Sequence, residues 1–207
     1  MLKVYLVRHG ETEWNVAKCI QGQSDSPLTK VGIKQAKLVA KRIQSIGITH
    51  ILCSDLERTK KTAEIIAKFC HCDVVFEPRL RELNMGVLEG RPINSLNDEE
   101  KSWCYNLVNG LPGARIPKGE SMEEITKRMF SALEECRLLP IKSKPLLVSH
   151  GIGLGALLNH ILGVPLNAQR RLRLRNCSLS KVDYQKRPWL QYAWILETVG
   201  DISHLEE

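Results

Sequence analysis

The sequence predicts an α/β fold: a three-layer α/β/α sandwich around a mostly parallel sheet. Two patterns carry that prediction. Short apolar segments such as Leu2–Val7 and Pro145–Ser149 alternate with stretches whose apolar residues recur at steps of three and four, the alternation that gives strands joined by crossover helices. Turn residues bearing chemistry, Arg8-His9-Gly10 and His150-Gly151, follow directly on two of the apolar segments, and parallel sheets place ligand sites beyond the carboxyl ends of their strands. With 207 residues and no visible repeat or low-complexity tract, one domain over 1–207 is expected, with an excursion at about 77–118.

Taken in order, Leu2–Val7 is a strand covered on both faces. Ser26-Pro27-Leu28-Thr29 turns the chain, Thr29 is placed to cap a helix running to about Ile46, and Gly47 suits the left-handed position after it. Thr49–Cys53 is a second strand, and Ser54-x-x-Glu57 has the form of a capping box that puts Arg58 in a helix's first turn. Asp73–Phe76 is a third. Prolines and glycines then break regular structure to Pro117, with one short helix around Asp98–Leu107; an excursion this long is expected to serve as a lid. Ser121-x-x-Glu124 is another capping box, and Met122, Ile125, Met129, Ala132 and Cys136 form a buried stripe. Strand Pro145–Ser149 leads through His150-Gly151 to an apolar helix, Leu154–Leu162. In the run Arg170–Arg175 leucines alternate with arginines from Arg171 onward, which predicts an extended edge, and Leu179–Tyr184 and Leu190–Glu197 read as strands around a turn containing Pro188.

A net charge of +7 favours anionic partners: phosphorylated metabolites, nucleic acid or an acidic surface. No stretch reaches the roughly 18 apolar residues of a membrane span, and seven cysteines without a regular framework suit a reducing compartment, so a cytoplasmic location is expected. Cys70-His71-Cys72 lacks a second Cys/His pair at zinc-like spacing, and no metal site is predicted. His150-Gly151-Ile152-Gly153-Leu154-Gly155 follows a strand, but its spacing is not that of a dinucleotide-binding turn. The arginine run comes with no recognised nucleic-acid motif. An inactive interaction protein is disfavoured by the chemistry of the turns.

That chemistry is phosphoryl transfer. Arginine presents a fixed fork of donors to anionic oxygens, and neutral imidazole can attack phosphorus. Arg8, His9, Arg58 and His150 all follow strand ends and so can converge although scattered along the chain, and Glu82 can join them from the excursion. The combination of Leu6-Val7-Arg8-His9-Gly10-Glu11-Thr12-x-Trp14-Asn15, Ser54-Asp55-Leu56-x-Arg58-Thr59, Glu82-x-x-x-Gly86-x-x-Glu89-Gly90 and Val148-Ser149-His150-Gly151 resembles the histidine phosphatase superfamily, the family of the cofactor-dependent phosphoglycerate mutases. The resemblance covers nearly the whole chain and is strongest to a small bacterial branch.

It implies that His9 becomes phosphohistidine, that Arg8, Arg58 and His150 clamp the phosphate, and that Glu82 is the proton donor. It also places Asn15, Gln21, Gly22, Lys60, Gly151 and Ile152 on the substrate side. His150 would contribute as imidazolium, His9 must be neutral to attack, and Glu82 must be protonated to donate, which calls for partial burial or a negative neighbour. The expected partner is a small phosphorylated metabolite, not nucleic acid or membrane; a homodimer stays open. No cofactor is implied, except 2,3-bisphosphoglycerate as primer if the outcome is mutation of phosphoglycerate. Residues 92–118 hold only Lys101, Arg115 and Lys118 as basic groups, and Cys104-Tyr105 stands where related chains carry basic residues. Net hydrolysis is therefore expected over mutase activity.

Overall fold

The computed structural model describes residues 1–167, 172–188 and 190–206, built on one six-stranded sheet. Strands β1 (Leu2–Arg8), β2 (His50–Cys53), β3 (Val74–Phe76), β4 (Pro145–Ser149), β5 (Leu179–Arg187) and β6 (Leu190–Asp201) lie in the order β3-β2-β4-β1-β5-β6. The first four are mutually parallel, β5 is antiparallel to β1, and β6 turns back along β5. The sandwich closes with α2 (Lys30–Gln44) and α3 (Glu57–Cys70) on one face and α5 (Met122–Glu135) and α6 (Gly151–Ile161) on the other. Two shorter helices, α1 (Glu13–Val16) and α4 (Asp98–Val108), lie in the connections.

Alternation along the strands divides the core. Val4 and Leu6 of β1 and Leu147 of β4 pack with Ile125, Met129 and Leu157, whereas Tyr5, Val7, Leu146 and Val148 pack with Ala36, Val39, Ala63 and Ile66. Each valine, leucine, isoleucine or methionine among them fully removed from water contributes about 1.5–3 kcal/mol. A one-residue slip of β1 would exchange both sets at once, so the register, and with it the position of Arg8 and His9, is strongly specified.

The caps of α2 and α5 are as expected. Thr29 accepts from the Gly32 amide at 2.9 Å, Gly47 has φ +74°, and Ser121 with Glu124 completes a capping box. Two helix starts differ from the sequence reading, for a common reason. Ser54 does not cap α3; its N-cap residue is Leu56, and the Asp25 carboxylate accepts from the amides of Glu57 (2.9 Å) and Arg58 (3.5 Å). α6 begins at Gly151, not Leu154, and its amides at Ile152 and Gly153 donate to Glu82 at 3.0 and 2.8 Å. In both, a carboxylate distant in sequence satisfies donors that a helix start leaves open.

The extended edge expected at Arg170–Arg175 is not formed over 172–175, which has no regular structure; Arg170 and Arg171 lie outside the described residues. β5 and β6 are longer than expected, reaching Arg187 and Asp201. The excursion contains α4 and three 3-10 turns, and its Leu80, Leu83, Leu88, Leu107 and Ile116 are buried in the same core as α5 and α6. Its backbone is joined to the segment after α1, with the Ile20 amide donating to Arg91 O at 2.9 Å and the Gly90 amide to Ile20 O at 2.8 Å. Among the described residues no helix is long and apolar enough to cross a membrane.

Candidate active site

The site lies where β1 and β4 end side by side. Arg8 pairs with Ser149, and the His9 amide extends the ladder by donating to Ser149 O at 3.0 Å, which brings His9 and His150 to a ring separation of 5.2 Å. His9 contributes to the wall of a cavity of about 460 Å³. Its Nδ1 is 2.7 Å from Gly10 O. A carbonyl only accepts, so Nδ1 carries the proton and Nε2 keeps its lone pair. Burial, with Arg8 and Arg58 adding to it, holds the His9 pKa well below the ordinary histidine value, so the ring is neutral at neutral pH. Gly10 is required for close approach: a Cβ there would stand 2.6 Å from Gly32 O.

His150 is fully buried and behind the cavity wall. Arg58 Nε donates to its Nδ1 at 3.2 Å, which leaves the ring proton on Nε2, 2.8 Å from Ser54 Oγ. Burial, then Arg58, His9 and Arg8, keep its pKa well below the ordinary value. The imidazolium expected of His150 is not the form these bonds describe: the ring accepts from an arginine and donates to a serine, so the fixed positive charge here is that of the guanidinium groups.

Arg58 is 1% exposed. Its Nη1 donates to Ser24 O (2.7 Å) and Asp25 Oδ1 (2.6 Å) and its Nη2 to Gly22 O (2.6 Å), leaving one Nη2 hydrogen without a partner among the described residues. The loop supplying these acceptors is itself held by Glu89, whose carboxylate accepts from the amides of Gln23 and Ser24, both at 2.8 Å. Arg8 donates through Nη1 to Leu174 O at 2.7 Å, while its Nε is buried with no partner among the described residues. Gly151 packs directly on this guanidinium, since a Cβ there would lie 3.3 Å from Arg8 Nε.

Glu82 joins the group from the excursion, 9% exposed. The burial expected of it is present, but its oxygens face donors: besides Ile152 and Gly153, the Leu83 amide donates at 2.9 Å. Its backbone is positioned by Arg128 of α5, which donates to the carbonyls of Arg79 (2.7 Å), Arg81 (2.6 Å) and Glu82 (2.9 Å). Asn15, Gln21, Gly22, Gly151 and Ile152 all line the cavity. Lys60 does not; it pairs with Glu57 at 2.7 Å and lies over the Phe76 ring.

Several contributors had no site role in the sequence reading. Asp25, Ser54, Glu89, Arg128 and Asn176 hold the central groups, Asn176 by donating to His9 O at 3.0 Å and Asn15 Oδ1 at 3.2 Å. Their contacts are long-range, and only Ser54 and Glu89, standing within the quoted motifs, carried a local signal. Chemically, a neutral imidazole lone pair beside two guanidiniums can take a phosphoryl group while positive charge meets its equatorial oxygens.

Fold and site have the form of the histidine phosphatase superfamily. The chain belongs to the histidine phosphatase superfamily, branch 1, whose family model matches residues 4–196. It is 65% identical over 206 residues to a protein of Photorhabdus laumondii named "Probable phosphoglycerate mutase GpmB", spanning 100% of this chain and 96% of that one. Among solved structures it is similar to YhfR of Bacillus stearothermophilus (TM-score 0.91, 26% identity, 100% of both chains). It is also similar to a phosphoserine phosphatase of Entamoeba histolytica (TM-score 0.87, 26% identity, 99% of this chain and 100% of that one).

Proposed function

We propose that this protein hydrolyses small phosphomonoesters through a phosphohistidine at His9. The observation that carries the reading is the tautomer of His9: Nδ1 is committed to Gly10 O, so the lone pair belongs to Nε2, beside Arg8 and Arg58. Attack forms the Nε2–P bond as the ester P–O bond breaks, and water then takes the phosphoryl group from the imidazole. Arg8, through its unpartnered Nε, and Arg58, through its remaining Nη2 hydrogen, bind the phosphoryl oxygens. Asn15 keeps its amide donors for the same end of the cavity, because its oxygen already accepts from Thr12 and Asn176. Glu82 protonates the leaving oxygen from Oε2, which accepts one amide and keeps a second lone pair, whereas Oε1 accepts two. No metal enters this scheme, so chelators leave turnover intact, whereas loss to EDTA and recovery with a divalent ion would count against it.

Hydrolysis is favoured over mutase activity by the excursion's cations. Lys101 pairs with Asp98 at 3.1 Å, Arg115 with Glu124 at 3.4 Å, Lys118 is exposed, and none of the three lines the cavity. A mutase must retain a heavily charged bisphosphate while it reorients, which calls for several cations beyond Arg8 and Arg58, and among the described residues that wall holds one, Arg173. The second reading, interconversion of 2- and 3-phosphoglycerate with 2,3-bisphosphoglycerate as primer, is favoured by the name of the 65%-identical relative. Incubation with 3-phosphoglycerate and catalytic 2,3-bisphosphoglycerate separates them when 2-phosphoglycerate and free phosphate are measured together. Phosphate release should dominate; isomerisation running about tenfold faster, a difference of about 1.4 kcal/mol in barrier, would establish the mutase.

A further inference from the structure

We propose that Arg173 is a specificity-determining residue: it takes a second anionic group, carried by the substrate at the end remote from its phosphate. The preferred substrates are then phosphomonoesters with a compact apolar body ending in a carboxylate or similar anion. The proposal rests on the phosphomonoesterase reading above and extends it to the alcohol half of the ester.

The cavity, about 460 Å³, falls within the roughly 300–1,000 Å³ that accommodates a whole small molecule. Beyond the phosphate end its wall is largely apolar, with Ile20, Met85, Ile93, Ile152 and Leu172. Arg173 interrupts that wall. It is exposed, and no hydrogen bond or ion pair joins it to any described residue, in contrast to Arg8 and Arg58. The one carboxylate in the wall among the described residues, Glu82, already accepts three backbone amides. Arg173 thus lacks a counter-ion of its own and offers a full fork of donors to a planar anion.

Its position is anchored. The next residue, Leu174, is 3% exposed and its carbonyl accepts from Arg8 Nη1 at 2.7 Å, so the backbone carrying Arg173 is tied to the phosphate-binding guanidinium. The two charges also sense each other: burial is the main cause that lowers the Arg8 pKa, Glu82 opposes it, and Arg58 and Arg173 both add to the lowering. An anion at Arg173 would relieve that repulsion as well as fill the site.

The test uses a matched pair, 4-carboxyphenyl phosphate and its neutral isostere 4-carbamoylphenyl phosphate. The ratio of their kcat/KM values is measured in the native protein, Arg173→Ala and Arg173→Lys. The carboxylate ester should lose about tenfold relative to the amide in Arg173→Ala, as expected for removal of a charge-assisted contact, through KM more than kcat, with part of the preference restored by lysine. Equal loss on both esters would make Arg173 a prop for Leu174 and Arg8 and overturn the proposal, as would an unchanged ratio. Binding of the same esters to His9→Ala, with and without Arg173→Ala, is read by calorimetry. Arg173-dependent preference there, with no turnover of either ester by the native protein, would reject the hydrolytic reading alone. Absence of that preference would reject the anion site alone if the native protein still hydrolyses both.

Discussion

Two turns in this molecule share one grammar, a buried strand followed by histidine and glycine, and end in opposite states. At the end of β1, His9 binds the carbonyl of the next residue through Nδ1 and keeps Nε2 for the cavity. At the end of β4, His150 is bonded at both nitrogens, to Arg58 and Ser54, and is fully buried. The chain after Gly10 continues as a loop to α1, whereas Gly151 starts α6 at once. What separates the two rings here is the partner of the second nitrogen, not the place on the sheet.

The sharpest way to break the contrast is to remove each ring. His9→Ala should lower turnover by about four to six orders of magnitude, as loss of a covalent nucleophile does, and abolish acid-labile, base-stable phosphate on quenched protein. His150→Gln should slow that labelling yet leave it on His9. Equal labelling in both variants would reverse the assignment. Arg58→Ala, which strikes the groups around both histidines, should cost about 2–4 kcal/mol of transition-state stabilisation, mainly in kcat. Because Arg58 also bonds Gly22, Ser24 and Asp25, thermal melts on the same variant report the share lost to folding.

The two rings are alike in one respect, since burial depresses both pKa values. Below about pH 6.5 the unfolded chain takes up protons that the native histidines refuse. Their contribution is therefore complete above that pH and is lost as pH falls, by about 1.4 kcal/mol per unit for each ring down to its native pKa. Melts of His150→Gln between pH 7.5 and 5.5 should show a slope reduced by one such increment; an unchanged slope would mean that His150 is protonated in the native state. The smallest effect is expected from Ser54→Ala, which strands the His150 Nε2 proton at about 1–3 kcal/mol of stability. Turnover should stay within a few-fold, and a large loss of kcat with no loss of stability would assign Ser54 to the chemistry.

The sheet and most helices were legible because their signals are local. The apolar runs at β1 and β4, the Thr29 and Ser121 caps and the stripe from Met122 to Cys136 each lie within one segment. Convergence of Arg8, His9, Arg58, Glu82 and His150 followed from their places at strand and helix ends and from the family signature. The start of α6 was read late because Gly151 and Gly153 argue against a helix; they are there because Gly151 meets Arg8 and Gly153 meets Met129, and Glu82 supplies the cap. Asp25 at the start of α3 escaped for the same reason, its partner being more than thirty residues away. The arginine run carried strand periodicity, yet Leu172–Leu174 serves as cavity wall and as the acceptor for Arg8.

The ladder between β1 and β4 also governs how such a molecule can change over generations. The register of Arg8 with Ser149 and the amide bond of His9 belong to the sheet backbone, whereas the wall beyond the phosphate end comes from four separate stretches, around Ile20, Met85 to Ile93, Ile152 and Leu172 to Leu174. Side chains in those stretches can be exchanged one at a time without disturbing a single rung of the ladder. Inheritance of the reaction and divergence of the substrate are thereby uncoupled. A solved structure that keeps the backbone at a TM-score of 0.91 with 26% of its residues in common shows the degree of sequence change this backbone tolerates.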